Sequence, residues 1–170
     1  TEPLGVDTAA PRLSWLVESP VRGDRQKAFH VLVASAPELL QSDIGDFWDT
    51  GMTEADTSIS CEYRGEALLS CARYFWKVRW WDREGQVSPW SEPSSFVTGF
   101  LNPGDWKPKW IGPRRITEFR SKGTVLLGHA GADDTQACAV YFRREFALRE
   151  RAALAMVFVS GLGHYELHLN

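Results

Sequence analysis

Four groups of residues in this chain invite a reactive or ligand-binding reading. His164 and His168 stand four apart in "HYELHLN", the spacing at which a helix offers two imidazoles to one zinc ion. That segment alternates polar and apolar residues with period two, so it reads as a strand. On a strand the two rings lie ~13 Å apart, beyond any shared ion. Just upstream, Gly161-Leu162-Gly163 follows an apolar run, as the start of a dinucleotide-binding fingerprint does. The third glycine position holds Glu166, a carboxylate where pyrophosphate would sit, and no helical period follows. These glycines are expected to turn a hairpin. Asp43, Asp46 and Asp49 recur every third residue, whereas a calcium loop takes alternate ligands around a central glycine. Cys61, Cys71 and Cys138 cannot all pair, contain no C-x-x-C, and read as small buried residues. No catalytic, cofactor-binding or metal-ligating residue is expected from these groups.

The elements that would have to position such groups are short strands. The chain has 170 residues, 44% hydrophobic and 24% charged, enough for one large domain or two small ones. A net charge of -3, from 19 basic and 22 acidic residues, gives no electrostatic footprint for nucleic acid. No apolar run approaches the ~20 residues of a membrane helix, and "TEPLGVDTAAPR" lacks the profile of a signal peptide. "RLSWLVES" alternates with Leu13, Trp15 and Val17 on one face. "KAFHVLVAS" sets Phe29, Val31 and Val33 against His30, Leu32 and Ala34. Ser35 and Glu38 have the spacing of a capping box on a short helical turn. In "RYFWKVRWWDREGQVSPWSEP", Tyr74, Trp76, Val78 and Trp80 share one face of the longest strand. Phe75, Lys77, Arg79 and Trp81 share the other, and a turn at Glu84-Gly85 leads to a return strand.

Seven or so strands in about 90 residues, with almost no helix, predict an all-β fold: an immunoglobulin/fibronectin type III-like β-sandwich over 1–100. "GFLNPGDWKPKW" breaks the pattern and sets a linker at 101–109, where Trp106 and Trp110 are placed to pin two domains together. From 110 to 170, "TVLL", "VYFRREFAL", "LAMVFVS" and "HYELHL" predict the first part of a second β-sandwich, with the polar loop "GHAGADDTQA" between strands. The eight tryptophans suit a sandwich core or a sugar-stacking surface. Trp76 and Trp80 fall on the core face. Trp81, opposite them and next to Asp82 and Arg83, is the candidate carbohydrate contact.

Two resemblances follow from these residues. "RLSW", a "Y-x-W-x-V" strand and "VSPWSEPSSF" resemble a fibronectin type III domain, and Ser88, Trp90 and Ser91 overlap the W-S-x-W-S box of cytokine receptors. The box's first Trp is Val87 here. Such a box serves as a ladder of basic side chains stacked on Trp, and Lys77 and Arg79 alternate correctly to reach Trp90. More specifically, "EPLGVDTAAPRLSW", "FHVLVAS", "FWDTG", "YFWKVRWWDREGQVSPWSEPSSF", "DWKPKWIG", "FRREFAL" and "VSGLGHYELHLN" occur in this order. Together they resemble the N-terminal region of bacterial α-L-rhamnosidases, a glycoside hydrolase family with a helical-barrel catalytic domain.

That resemblance implies a non-catalytic N-terminal accessory segment. Its partner would be the downstream catalytic domain of the same polypeptide, and a rhamnose-containing glycan a further one. No cofactor is implied. Both ends read as cut, so the chain is expected to be a fragment of a larger glycosidase. Glycoside hydrolysis needs two carboxylates, ~6.5–9.5 Å apart for inversion and ~5–5.5 Å for retention. The carboxylates here sit in loops and on exposed faces, Asp133-Asp134 included, and the family carries its acid and base on the barrel. The alternative is a free-standing fibronectin-type module binding protein or glycan. The odd cysteine count leans towards a bacterial cytoplasm, with export free of disulfides as the other reading.

Overall fold

Alternation of large apolar residues over nine positions makes Arg73–Trp81 the longest strand, here β6, and the fold is arranged around it. The structure is a computed structural model that describes residues 2–112, 141–148, 150 and 155–169. Cys138, Asp133-Asp134, "TVLL" and the whole loop "GHAGADDTQA" after it lie outside the described residues. The chain divides into two compact units, Thr1–Lys107 and Pro108–Asn170.

The first unit is all-β and immunoglobulin-like. Its strands run β1 (Arg12–Leu13), β2 (Ala28–Ala34), β3 (Trp48–Asp49), β4 (Thr53–Glu54), β5 (Cys61–Glu62), β6 and β7 (Ser94–Val97), with a short helix α1 (Pro37–Gln41) after β2. One sheet pairs β1 with β5. The other has the order β3-β2-β6-β7, with β4 also on β2, and every pairing is antiparallel. β2 and β6 pair along their lengths, from Ala28 opposite Trp81 to Ala34 opposite Phe75. That register puts Phe29, Val31, Val33, Tyr74 and Val78 on one face. There they close on Leu13, Trp15, Tyr63 and Phe96 to form the main core. Trp15 is fixed in it by its indole N–H, which donates to Gln26 Oε1 (2.8 Å). Gln26 in turn donates to the carbonyls of Ala55 and Thr57, so this buried amide is satisfied.

Three local features differ from the sequence expectation. Ser35 does not cap α1, whose N-cap is Ala36 with Pro37 behind it. Instead Asp46, eleven residues on, holds the Ser35 amide and hydroxyl at 2.9 and 2.6 Å. Asp46 thus takes the place that Glu38 would hold in the reciprocal box and binds the hydroxyl as well. The segment after the Gly85 turn forms only one bridge, between Trp81 and Val87, and the returning strand is β7. Trp76 is half-buried against the main core and Trp80 is half-buried.

Close packing against backbone fixes Gly45 and Gly65 as glycines. A Cβ on Gly65 would overlap the carbonyl oxygen of Phe47 and crowd the Tyr63 hydroxyl, which donates to the Phe47 and Glu66 carbonyls. The N-terminal segment lies along β7 in parallel, bridged at Val6 and Thr98. Val97 N–H donates to Pro3 O, Val6 N–H to Val97 O, and Gly99 N–H to Val6 O, at 3.0, 2.9 and 2.7 Å. A few residues beyond this end of β7, Asp105 accepts from the Ser70 hydroxyl and caps the turn Pro103–Asp105. Trp106 packs edge-on against Phe100 at 5.4 Å; this is a contact inside the first unit, made because the capped turn brings the indole back onto it.

In the second unit the described residues 141–148 and 155–169 carry no assigned strand. Tyr165, Leu167 and Leu169, expected to face inward, are exposed. Alternation sets which face a strand would bury, but a strand also needs a hydrogen-bonded neighbour, and none is assigned to these residues. Gly163 sits in a bend with φ +106°, and the described residues 164–169 that follow it carry no helix.

Candidate functional site

The outer face of the β2–β6 pair carries the charged residues. Register places His30 opposite Arg79, Leu32 opposite Lys77 and Ala34 opposite Phe75. α1 lays Leu40 over Leu32 and Ala34, and Phe75 and Trp90 complete this second cluster. Trp90 arrives there because residues 88–91 are clipped to β6 by serines. Ser88 Oγ accepts from Trp80 N–H and Ser91 Oγ from Val78 N–H, both at 3.1 Å. Their own amides donate to the Trp80 and Val78 carbonyls at 2.8 Å. Three residues of the segment span two of β6, so residues 88–91 lie along β6 by these bonds without forming a regular strand.

Three groups stack on the Trp90 ring. Lys77 Nζ lies 4.5 Å and Arg79 Cζ 4.4 Å from its centroid, inside cation–π range, and the His30 ring packs at 5.0 Å. Lys77 and Arg79 therefore do reach Trp90, as their alternation predicts. Arg79 also lies 5.4 Å from the Trp81 ring, so one face of the half-buried Trp81 indole is covered by a guanidinium. Lys77, placed by the sequence on an outward face, is buried beneath α1 and donates to the Leu40 carbonyl and to Asp43. Sequence reasoning also missed His30 and Asp49 (2.6 Å). The signal was present: His30 shares the Lys77 and Arg79 face.

The three spaced aspartates each have a separate partner. Asp43 holds Lys77, Asp46 holds Ser35, and Asp49 accepts from His30 and from the Gly51 amide. The Lys77 bond keeps the Asp43 carboxyl below the usual range. For Asp49, burial raises it, but the bonds from Gly51 and His30 and the charges of His30 and Arg79 outweigh that and bring it down. A glycosidase's proton donor needs the opposite shift, upward. Cys61 and Cys71 are half-buried free thiols, and burial pushes the Cys61 thiol up, away from reactivity. Among the described residues, no group of three metal-ligating side chains converges. The arrangement can hold a sheet face rigid and present aromatic surface.

Residues 1–102 match the sequence profile of the Rha78A-like, N-terminal immunoglobulin domain. The chain belongs to that family. The Rha78A-like similarity extends beyond the profile, over 99% of the chain, to an α-L-rhamnosidase of Streptomyces avermitilis at 44% identity, of which it covers 17%. An α-L-rhamnosidase of Formosa agariphila is 35% identical over the whole chain, which covers 18% of it. The chain thus spans less than a fifth of the length of the curated relatives it matches. Among solved structures, the α-L-rhamnosidase from Dictyoglumus thermophilum superposes with a TM-score of 0.63 at 43% identity, over 66% of this chain and 13% of that one. The Streptomyces avermitilis α-L-rhamnosidase complexed with L-rhamnose gives 0.61 at 44% identity, over 65% and 11%. The Rha78A-like domain here is a non-catalytic accessory segment by family position.

Proposed function

We propose that the polypeptide carrying this chain hydrolyses terminal α-L-rhamnosides, and that the chain supports a catalytic domain further along the same polypeptide. The observation that supports this most is the 44% identity over 99% of the chain to an enzyme of which it covers only 17%. The paired and depressed aspartates of the first unit agree with a supporting role. The test is direct. The natural gene product should have an intact mass several times 19.2 kDa and release nitrophenol from nitrophenyl α-L-rhamnopyranoside, while this chain alone should release none. A natural product near 19.2 kDa, or a larger one inert on rhamnosides, removes the reading and leaves a free-standing binding module.

The same reading includes a carbohydrate contact at Trp81. Its support is a half-buried indole at the end of β6 with one face under Arg79, next to the exposed Arg83. One stacked sugar contributes about 1 kcal/mol, so Trp81→Ala should weaken binding of a rhamnose-containing oligosaccharide roughly fivefold by calorimetry. Unchanged affinity ends that part of the proposal.

A further inference from the structure

Among the groups stacked on Trp90, His30 is the one whose proton position the surroundings dictate. Its Nδ1 faces Arg79 Nη2 at 3.1 Å. A guanidinium has donors only, so Nδ1 accepts and carries no proton. The proton then sits on Nε2, which donates to Asp49 Oδ1 at 2.6 Å. The ring is 13% exposed, held between this pair and the Trp90 face. The charged neighbours from each packed element are Asp49 on β3 and Arg79 on β6. Across Trp90 lie Lys77, also on β6, and Asp43 from the connection after α1.

We propose that His30 is a protonation-controlled latch that holds Arg79 in the Trp90 stack. Adding a proton to Nδ1 makes both ring nitrogens donors. The bond to Arg79 is then lost and two cations face each other, while the Asp49 contact gains a charge. Among the described residues, Arg79 Nε already has no hydrogen-bond partner. After protonation the guanidinium has lost its hydrogen bond to His30 and keeps the Trp81 indole and the charges of Asp43 and Asp49, and it swings off Trp90. Imidazole is the side chain that ordinarily gains charge between about pH 8 and 5. Asp43 and Asp49, held below the usual carboxylate range, stay ionised through that interval. The change occurs on the outer face of β6, so the main core stays closed.

Nitrogen-15 NMR of the full chain from pH 8 to 5 tests this, with His30→Gln and Trp90→Phe assigning the imidazole and indole signals. The expected result is the Nε2–H tautomer at pH 8, and a Trp90 indole signal that moves with the same midpoint as His30. In Arg79→Met that co-titration should shrink severalfold. If His30→Gln fails to fold, Asp49→Asn assigns His30 by removing the carboxylate that its Nε2 faces. An Nδ1–H tautomer at pH 8, a Trp90 signal that stays put while His30 titrates, or full co-titration in Arg79→Met would each overturn the latch.

Discussion

Replacing Tyr74 with Ala is expected to cost roughly 4 kcal/mol, most of the margin of a domain this size. Tyr74 is 2% exposed. Its ring meets Phe47 edge-on at 4.8 Å and Phe96 at 5.5 Å, so truncation opens a cavity between two aromatic rings that backbone on both sides keeps from collapsing. Its hydroxyl also accepts from the Leu69 amide, five residues upstream, at 2.8 Å, the arrangement of a tyrosine corner. Tyr74→Phe separates the two effects: it keeps the ring, strands one part-buried N–H, and should cost about 1–2 kcal/mol. Equilibrium urea unfolding of the chain measures both. Equal losses for the two variants would mean that the hydrogen bond, and not the ring, dominates.

Trp90→Ala should cost about 3 kcal/mol. Trp90 covers Leu32, Ala34, Leu40 and Phe75 and is also the surface on which Lys77 and Arg79 rest. Without it, the Lys77 ammonium keeps Asp43 and the Leu40 carbonyl but loses its apolar and π contact. Trp90→Phe retains a smaller face and should recover about half the loss. A loss below about 1 kcal/mol by the same urea measurement would show that the indole merely lies on the surface.

How far these features were legible in the sequence depended on distance along the chain. The two faces of β6 and the reach of Lys77 and Arg79 to Trp90 could be read, because alternation is local and the serines that clip residues 88–91 sit two residues before the indole and one after it. The burial of Lys77 could not be read, since it comes from α1, whose Leu40 crosses β6 from 37 residues away. The Ser35 expectation failed for the same reason: the capping box is a local rule, and Asp46 reached Ser35 first through the fold. Spacing told against a calcium loop at Asp43, Asp46 and Asp49 but could not name their separate partners Lys77, Ser35 and His30, which all lie on other elements. In 141–169 the alternation was equally clear, yet period two describes a strand's faces and not its neighbours. The described residues there show no assigned ladder.

The parallel seam between residues 3–6 and the end of β7 has a mechanical consequence. Two parallel segments, one entering the unit and one leaving it, have their outgoing ends pointing in opposite directions. A pull along the polypeptide therefore drags Pro3 and Val6 past Val97 and Gly99 along the seam. Its three hydrogen bonds carry that load together in shear, where antiparallel neighbours would unzip one bond at a time. The first unit is built to resist tension applied through the chain.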